Sequence, residues 1–164
     1  MAAMEALNRQ IVNFKKDQRG TAILELAVVL PVLLTIGLGV MEFGNAVYSR
    51  HLIENGVRDG ARYAAGLPYN TAATAAKNIA LTGVTSGGTY RVSWWNNTNM
   101  VTVTYANVTN LDGSGNKLYR GGATIQLVTV STDVAYQPLG FLGYLGLGSI
   151  TLHASHEERL FGVR

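Results

Sequence analysis

TAILELAVVLPVLLTIGLGVM, residues 21 to 41, carries one charge, Glu25, in 21 residues. A helix of that length rises about 30 Å, the thickness of a bilayer hydrocarbon core, so the run is long enough to span. A buried helix of a soluble core would need protein on every side, and the remainder of a 164-residue chain is too small to cover it. Pro31 removes one backbone donor inside the run and is expected to kink or loosen the helix, while Gly37 and Gly39 favour flexibility or close helix contact. Upstream lie Arg9, Lys15, Lys16 and Arg19 against Glu5 and Asp17. Basic residues flanking a span stay on the cytoplasmic side, so the N-terminus is expected inside and the C-terminal two thirds outside the cytoplasm. Arg50, Arg58 and Arg62 lie farther from the run and are interleaved with Glu42, Glu54 and Asp59. A secretory signal would have a shorter apolar core and a small-residue cleavage site after it; here only Gly44 and Ala46 have that spacing, so the apolar segment is expected to be retained.

Helical periodicity continues past Met41. EFGNAVYSRHLIENGVRDGARYAAG, residues 42 to 66, has no proline and places Phe43, Val47, Ile53, Val57 and Ala61 at mostly helical spacings. One helix from about Thr21 to Ala65 is predicted. Gly56, Gly60 and Ala64 recur every fourth residue along it and form a smooth ridge, suited either to a neighbouring subunit or to this chain's own β-domain. GLPYN, residues 66 to 70, should end the helix at Gly66, and Asn70 should cap a short alanine-rich helix that stops before Gly83. Beyond it the pattern alternates. YRVSWW and MVTVTYA flank NNTN as a predicted hairpin with Tyr90, Val92 and Trp94 on one face, and TIQLVTVSTDVAY and SITLHASHEERL supply two further strands. The expected fold is α+β: a basic leader over 1–20, the membrane part of the helix over 21–41, its extramembrane continuation over 42–66, and an antiparallel sheet of four or so strands over 67–164.

Composition agrees with a membrane or assembly protein. Hydrophobic residues make up 48% and charged residues 14% of the chain, against about 25% charged in soluble domains. The net charge of +3 is scattered rather than gathered in a stripe, which argues against nucleic acid as a partner. There is no cysteine, which excludes disulfides and thiolate metal sites.

A carboxylate in hydrocarbon needs a partner. A cut between Gly20 and Thr21 would create one, because the new α-amine of Thr21 would lie one helical turn from Glu25, within its own chain or facing a neighbour's. Otherwise Glu25 sits at the boundary and reaches the headgroups. This arrangement, Arg19-Gly20, four residues, Glu25 and a long apolar helix, resembles the class III signal of type IV prepilins. Residues 19–66 more specifically resemble the TadE-like family of minor pilins or pseudopilins of the tight-adherence (Flp-type, type IVc) pilus system, through Gly20, Glu25, Leu30, Pro31, Glu42, Phe43, Gly44, Arg58, Gly60, Ala61, Arg62, Tyr63 and Ala64. Residue 26 is leucine where an aromatic is common in the family. The resemblance implies a pilin-like subunit of the bacterial inner membrane, with its C-terminal domain periplasmic. A prepilin peptidase would remove its leader, and its partners would be other pilin or pseudopilin subunits and the assembly platform of an adhesive pilus. It also implies that the chain is a substrate and not an enzyme.

Sites of other chemistry are weak. Asp112, Ser114 and Asn116 have the spacing of the first ligands of a calcium loop, but the closing glutamate is missing and a glycine turn is expected. His153 and His156, three apart on a strand, should face opposite sides and hold no metal. Serines, Asp133 and the histidines form no nucleophile elbow, and no phosphate loop is present, so no cofactor is expected. Interaction surfaces are better supported. Of the adjacent Trp94 and Trp95, one should enter the core and the other stay exposed. PLGFLGYLGLG, residues 138 to 148, is suited to the outer membrane surface, to a neighbouring subunit, or to folding over the sheet as a short helix or loop. Trp95, Phe141 and Tyr144 are taken as the interaction surface. The alternatives to a pilin are an uncleaved scaffold of the secretion machinery and a membrane-tethered enzyme or ligand-binding module.

Overall fold

The computed structural model describes Met4 and residues 19–146 and 149–161. Most of the expected leader, and Leu147 and Gly148 of the glycine-rich segment, therefore lie outside the described residues. The chain divides into two compact units at the Met41–Glu42 bond.

Helix α1 runs Arg19–Ala65, 47 residues, and passes through Pro31 without ending. Over 21–41 nearly every side chain is exposed among the described residues, as an apolar helix in lipid requires. Among the described residues it is the one helix long and apolar enough to cross a membrane.

From Glu42 onward the same helix becomes a wall of a protein core. Ile53, Val57 and Ala61 are buried against Leu81, Trp95, Val101, Val130 and Leu152. Ala64 and Ala65 continue that wall against Ala72, Ala76, Val128 and Leu160. Helix α2 spans Ala73–Thr82 and ends on Gly83, whose φ of 84° places it in the left-handed region that glycine adopts without a Cβ penalty. Ala72, not Asn70, occupies the N-cap position. Asn70 instead takes a positive φ of 58° in the connection, a conformation its short polar side chain tolerates.

Strands β1 (Val101–Thr109), β2 (Thr124–Ala135) and β3 (Thr151–Arg159) form an antiparallel sheet in the order β1-β2-β3. Val130 pairs with Val103 on one side and His156 on the other, so the buried face of each strand is set by alternate residues. A short helix α3, Phe141–Tyr144, lies between β2 and β3. The whole is α+β, a long N-terminal apolar helix with a three-stranded antiparallel sheet in a pilin-like arrangement.

The predicted hairpin over residues 90–106 does not form. Only its second half is a strand; residues 91–94 bend and turn, and Thr98–Met100 is a single 3₁₀ turn leading into β1. The reason is Trp95. Its backbone N–H donates to the Val92 carbonyl at 3.0 Å, so Val92 and Trp95 reach the core together at a turn spacing, where strand alternation would have turned in Val92 and Trp94. Arg91 fixes the approach: its backbone N–H bonds Leu81 O at 2.8 Å and its guanidinium bonds Asp59 of α1 at 2.6 Å.

Candidate functional site

Gly20, Thr21 and Glu25 begin α1, all exposed, with Thr21 and Glu25 one turn apart on one face. A Cβ built on Gly20 would meet nothing within 4 Å among the described residues.

The ridge of Gly56, Gly60 and Ala64 is occupied. A Cβ on Gly56 would overlap the Ala80 carbonyl oxygen of α2 and lie 3.0 Å from the Trp95 ring, and one on Gly60 would lie 2.7 Å from the Ala76 carbonyl oxygen. Ala64 is fully buried. Of the two readings open in the sequence, this face is filled from within the chain, by α2 and Trp95. Trp95 corrects the expected interaction surface in the same way. It is fully buried over Gly56, and its indole Nε1 donates to Thr132 Oγ1 at 3.1 Å. Trp94 is half-buried, edge-on to Tyr136 at 5.9 Å between ring centroids. Phe141 is half-buried, while Tyr144 is 85% exposed.

The least expected feature is Glu42. It directly follows the apolar run, yet it is only 3% exposed. Its carboxylate accepts the Tyr136 hydroxyl at 2.8 Å, the Leu139 N–H at 3.0 Å and the Phe141 N–H at 3.2 Å. Burial alone would push this carboxyl up, but the donors from Tyr136, Leu139, Phe141 and Gly140 favour the charged form and hold it below the ordinary value. Burial, reinforced by the adjoining Glu42 carboxylate, pushes the Tyr136 hydroxyl up, which keeps it protonated and donating. Asn45 Nδ2 completes the group by bonding the Tyr136 oxygen at 2.6 Å. Glu42 thus ties the first turn of α1 after the apolar run to the segment between β2 and β3. The sequence showed an uncharged glycine-rich segment and an acid after a span; only the folded chain joins them.

The remaining clusters are structural. Asp112 Oδ1 accepts the N–H groups of Ser114 at 2.9 Å and Asn116 at 2.7 Å, so this carboxylate closes its own turn, and those bonds, the Asn116 N–H foremost, hold its pKa low. Asn110, fully buried, binds Tyr119 O and Gly122 O at 2.8 Å each and accepts Tyr119 N–H at 2.9 Å, which organises the rest of the β1–β2 connection. His153 pairs with Asp133 at 2.5 Å on the outer face of the sheet, both more than 70% exposed, where water screens the pair. His156 faces the other way, half-buried, and bonds Glu158 at 2.9 Å. Arg62 of α1 lies 3.7 Å from the same Glu158.

Compared with known families, residues 20–62 match the model described as TadE-like protein. That stretch takes in the apolar run, Glu42 and all of the glycine ridge except Ala64, and it stops before α2 and the sheet. The family is a non-enzymatic one related to the tight-adherence pilus. No curated protein and no solved structure matches the chain.

Proposed function

Because residues 20–62 form a TadE-like domain, we propose that this chain is a minor pilin or pseudopilin, cut after Gly20 by a prepilin peptidase, with a structural role in building a tight-adherence pilus for surface attachment. The observation that carries the reading is the family match itself, which begins at Gly20 and covers an exposed apolar helix with Glu25 in the fifth position after it. Gly20 adds to it. Among the described residues nothing lies within 4 Å of a Cβ at that position, so the residue is open to a peptidase.

In the mature subunit the Thr21 amine and Glu25 carry opposite charges in lipid. An unpaired charge there is costly and a paired one is tolerated, so Glu25 sets axial register by finding the amine of a neighbouring helix. The chain is a single-pass protein of the bacterial inner membrane with its N-terminus cytoplasmic. Its partners are the peptidase, other pilin or pseudopilin subunits and the assembly platform.

Co-expression with a prepilin peptidase followed by mass analysis of the N-terminus tests processing. A terminus at Thr21 is expected; an intact Met1 in the native host would favour the uncleaved scaffold instead. Glu25→Ala should be cut normally but yield fewer pili, and undiminished pilus output would remove the register role.

A further inference from the structure

We infer that the segment 138–146, clipped to Glu42, is a second membrane contact that rests in the headgroup layer of the outer leaflet. The inference rests on the membrane-anchor reading of residues 21–41. Glu42 follows Met41, the last residue of the apolar run, so in a bilayer it sits where the helix leaves the hydrocarbon. Its bonds to Leu139 and Phe141 hold their segment at that same level.

What the segment presents there suits lipid. No charged residue occurs between Asp133 and His153. Leu142 packs inward against the core, but Leu139 is 67% and Tyr144 85% exposed. On the helix, Phe43 and Tyr48 are exposed within the first two turns after the run, about 10 Å of rise. Tyrosines such as Tyr48 and Tyr144, with an apolar body and a polar tip, concentrate at the headgroup level, and an exposed phenylalanine or leucine beside them buries in the acyl boundary. A protein neighbour could cover the same residues, but the bilayer surface is already present at the height of Glu42 whenever the helix is inserted.

The absence of cysteine makes a direct test possible. Single variants Tyr144→Cys, Leu33→Cys and Gly113→Cys of the full chain would carry a nitroxide in phosphatidylcholine–phosphatidylglycerol nanodiscs loaded with one chain each. Collision with oxygen, which partitions into lipid, is compared with collision with a water-soluble nickel chelate. The oxygen-to-nickel ratio at residue 144 should lie several-fold above that at 113, in the exposed β1–β2 turn, and below that at mid-span 33. A ratio at 144 equal to that at 113 overturns the inference while a high ratio at 33 leaves the anchor intact; a water-like ratio at 33 overturns the anchor itself. Shielding at 144 that appears only in discs holding several chains would also overturn it, assigning the surface to a neighbouring subunit. These substitutions sit at exposed positions and leave the core untouched.

Discussion

Glu42 takes its donors from the far end of the chain, and its chemistry is sensitive to pH. Its folded pKa lies below the ordinary 4.5, so its contribution to stability is complete above that value and is lost as pH falls through the lower folded value. Asp112 is shifted in the same direction and adds to the acid sensitivity, foremost through the Asn116 N–H. Glu42→Gln separates the two. The variant should be less stable at neutral pH, because its amide oxygen can replace only one carboxylate oxygen and its NH2 would then face a donor, the Phe141 N–H or, turned round, the Tyr136 hydroxyl and Leu139 N–H. The gap between the variant and the wild type should then close as pH is lowered below the carboxylate range. Unfolding midpoints of the full chain across that range check this, and parallel curves would show that the Glu42 charge does not hold the segment.

At the scale of elements, the crossing of α1 over α2 depends on missing side chains. Alanine favours helix over glycine by about 1 kcal/mol, so Gly→Ala on an open helix face should stabilise. Gly44 is such a position, since a methyl group there would meet nothing within 4 Å. Gly56 is not: the obstacle is the Ala80 carbonyl, a backbone atom, backed by the buried Trp95 ring. Overpacking of that kind costs about 1–3 kcal/mol, which outweighs the propensity gain. Thermal unfolding in detergent, followed through the tryptophan near-ultraviolet signal, should therefore show Gly44→Ala raising and Gly56→Ala lowering the midpoint. Equal shifts would mean that the helices are not in close contact. The four-residue spacing of the ridge is visible in the sequence. Its occupant is not, because the Ala76 and Ala80 carbonyls that fill it belong to a helix reached through a turn.

At the scale of the whole molecule, the proposed orientation rests on few charges. Arg9, Lys15, Lys16 and Arg19 precede the apolar run, and Lys and Arg close to a span resist translocation. A reporter fused to the C-terminus should read as extracytoplasmic in the wild type. Exchanging the four residues for glutamate should shift a substantial fraction to the inverted orientation, and an unchanged distribution would show that the C-terminal unit, not the basic flank, decides the topology. The helix also changes character along its length: up to Met41 its described side chains are exposed, and from Glu42 it is a wall of the core, so its composition changes where its burial does.

The sequence by itself determined the apolar run, the helix carried on to Ala65, and strands β2 and β3, because each is written in the periodicity of neighbouring residues and needs no knowledge of what lies opposite. Tertiary structure alone decided that residues 91–94 turn instead of pairing, since the slot over Gly56 draws in Trp95 against the local alternation. It alone decided that the glycine ridge faces inward and that Glu42 holds the segment after β2. Those outcomes depend on groups brought together from distant parts of the chain, where contact with a specific partner outweighs local preference.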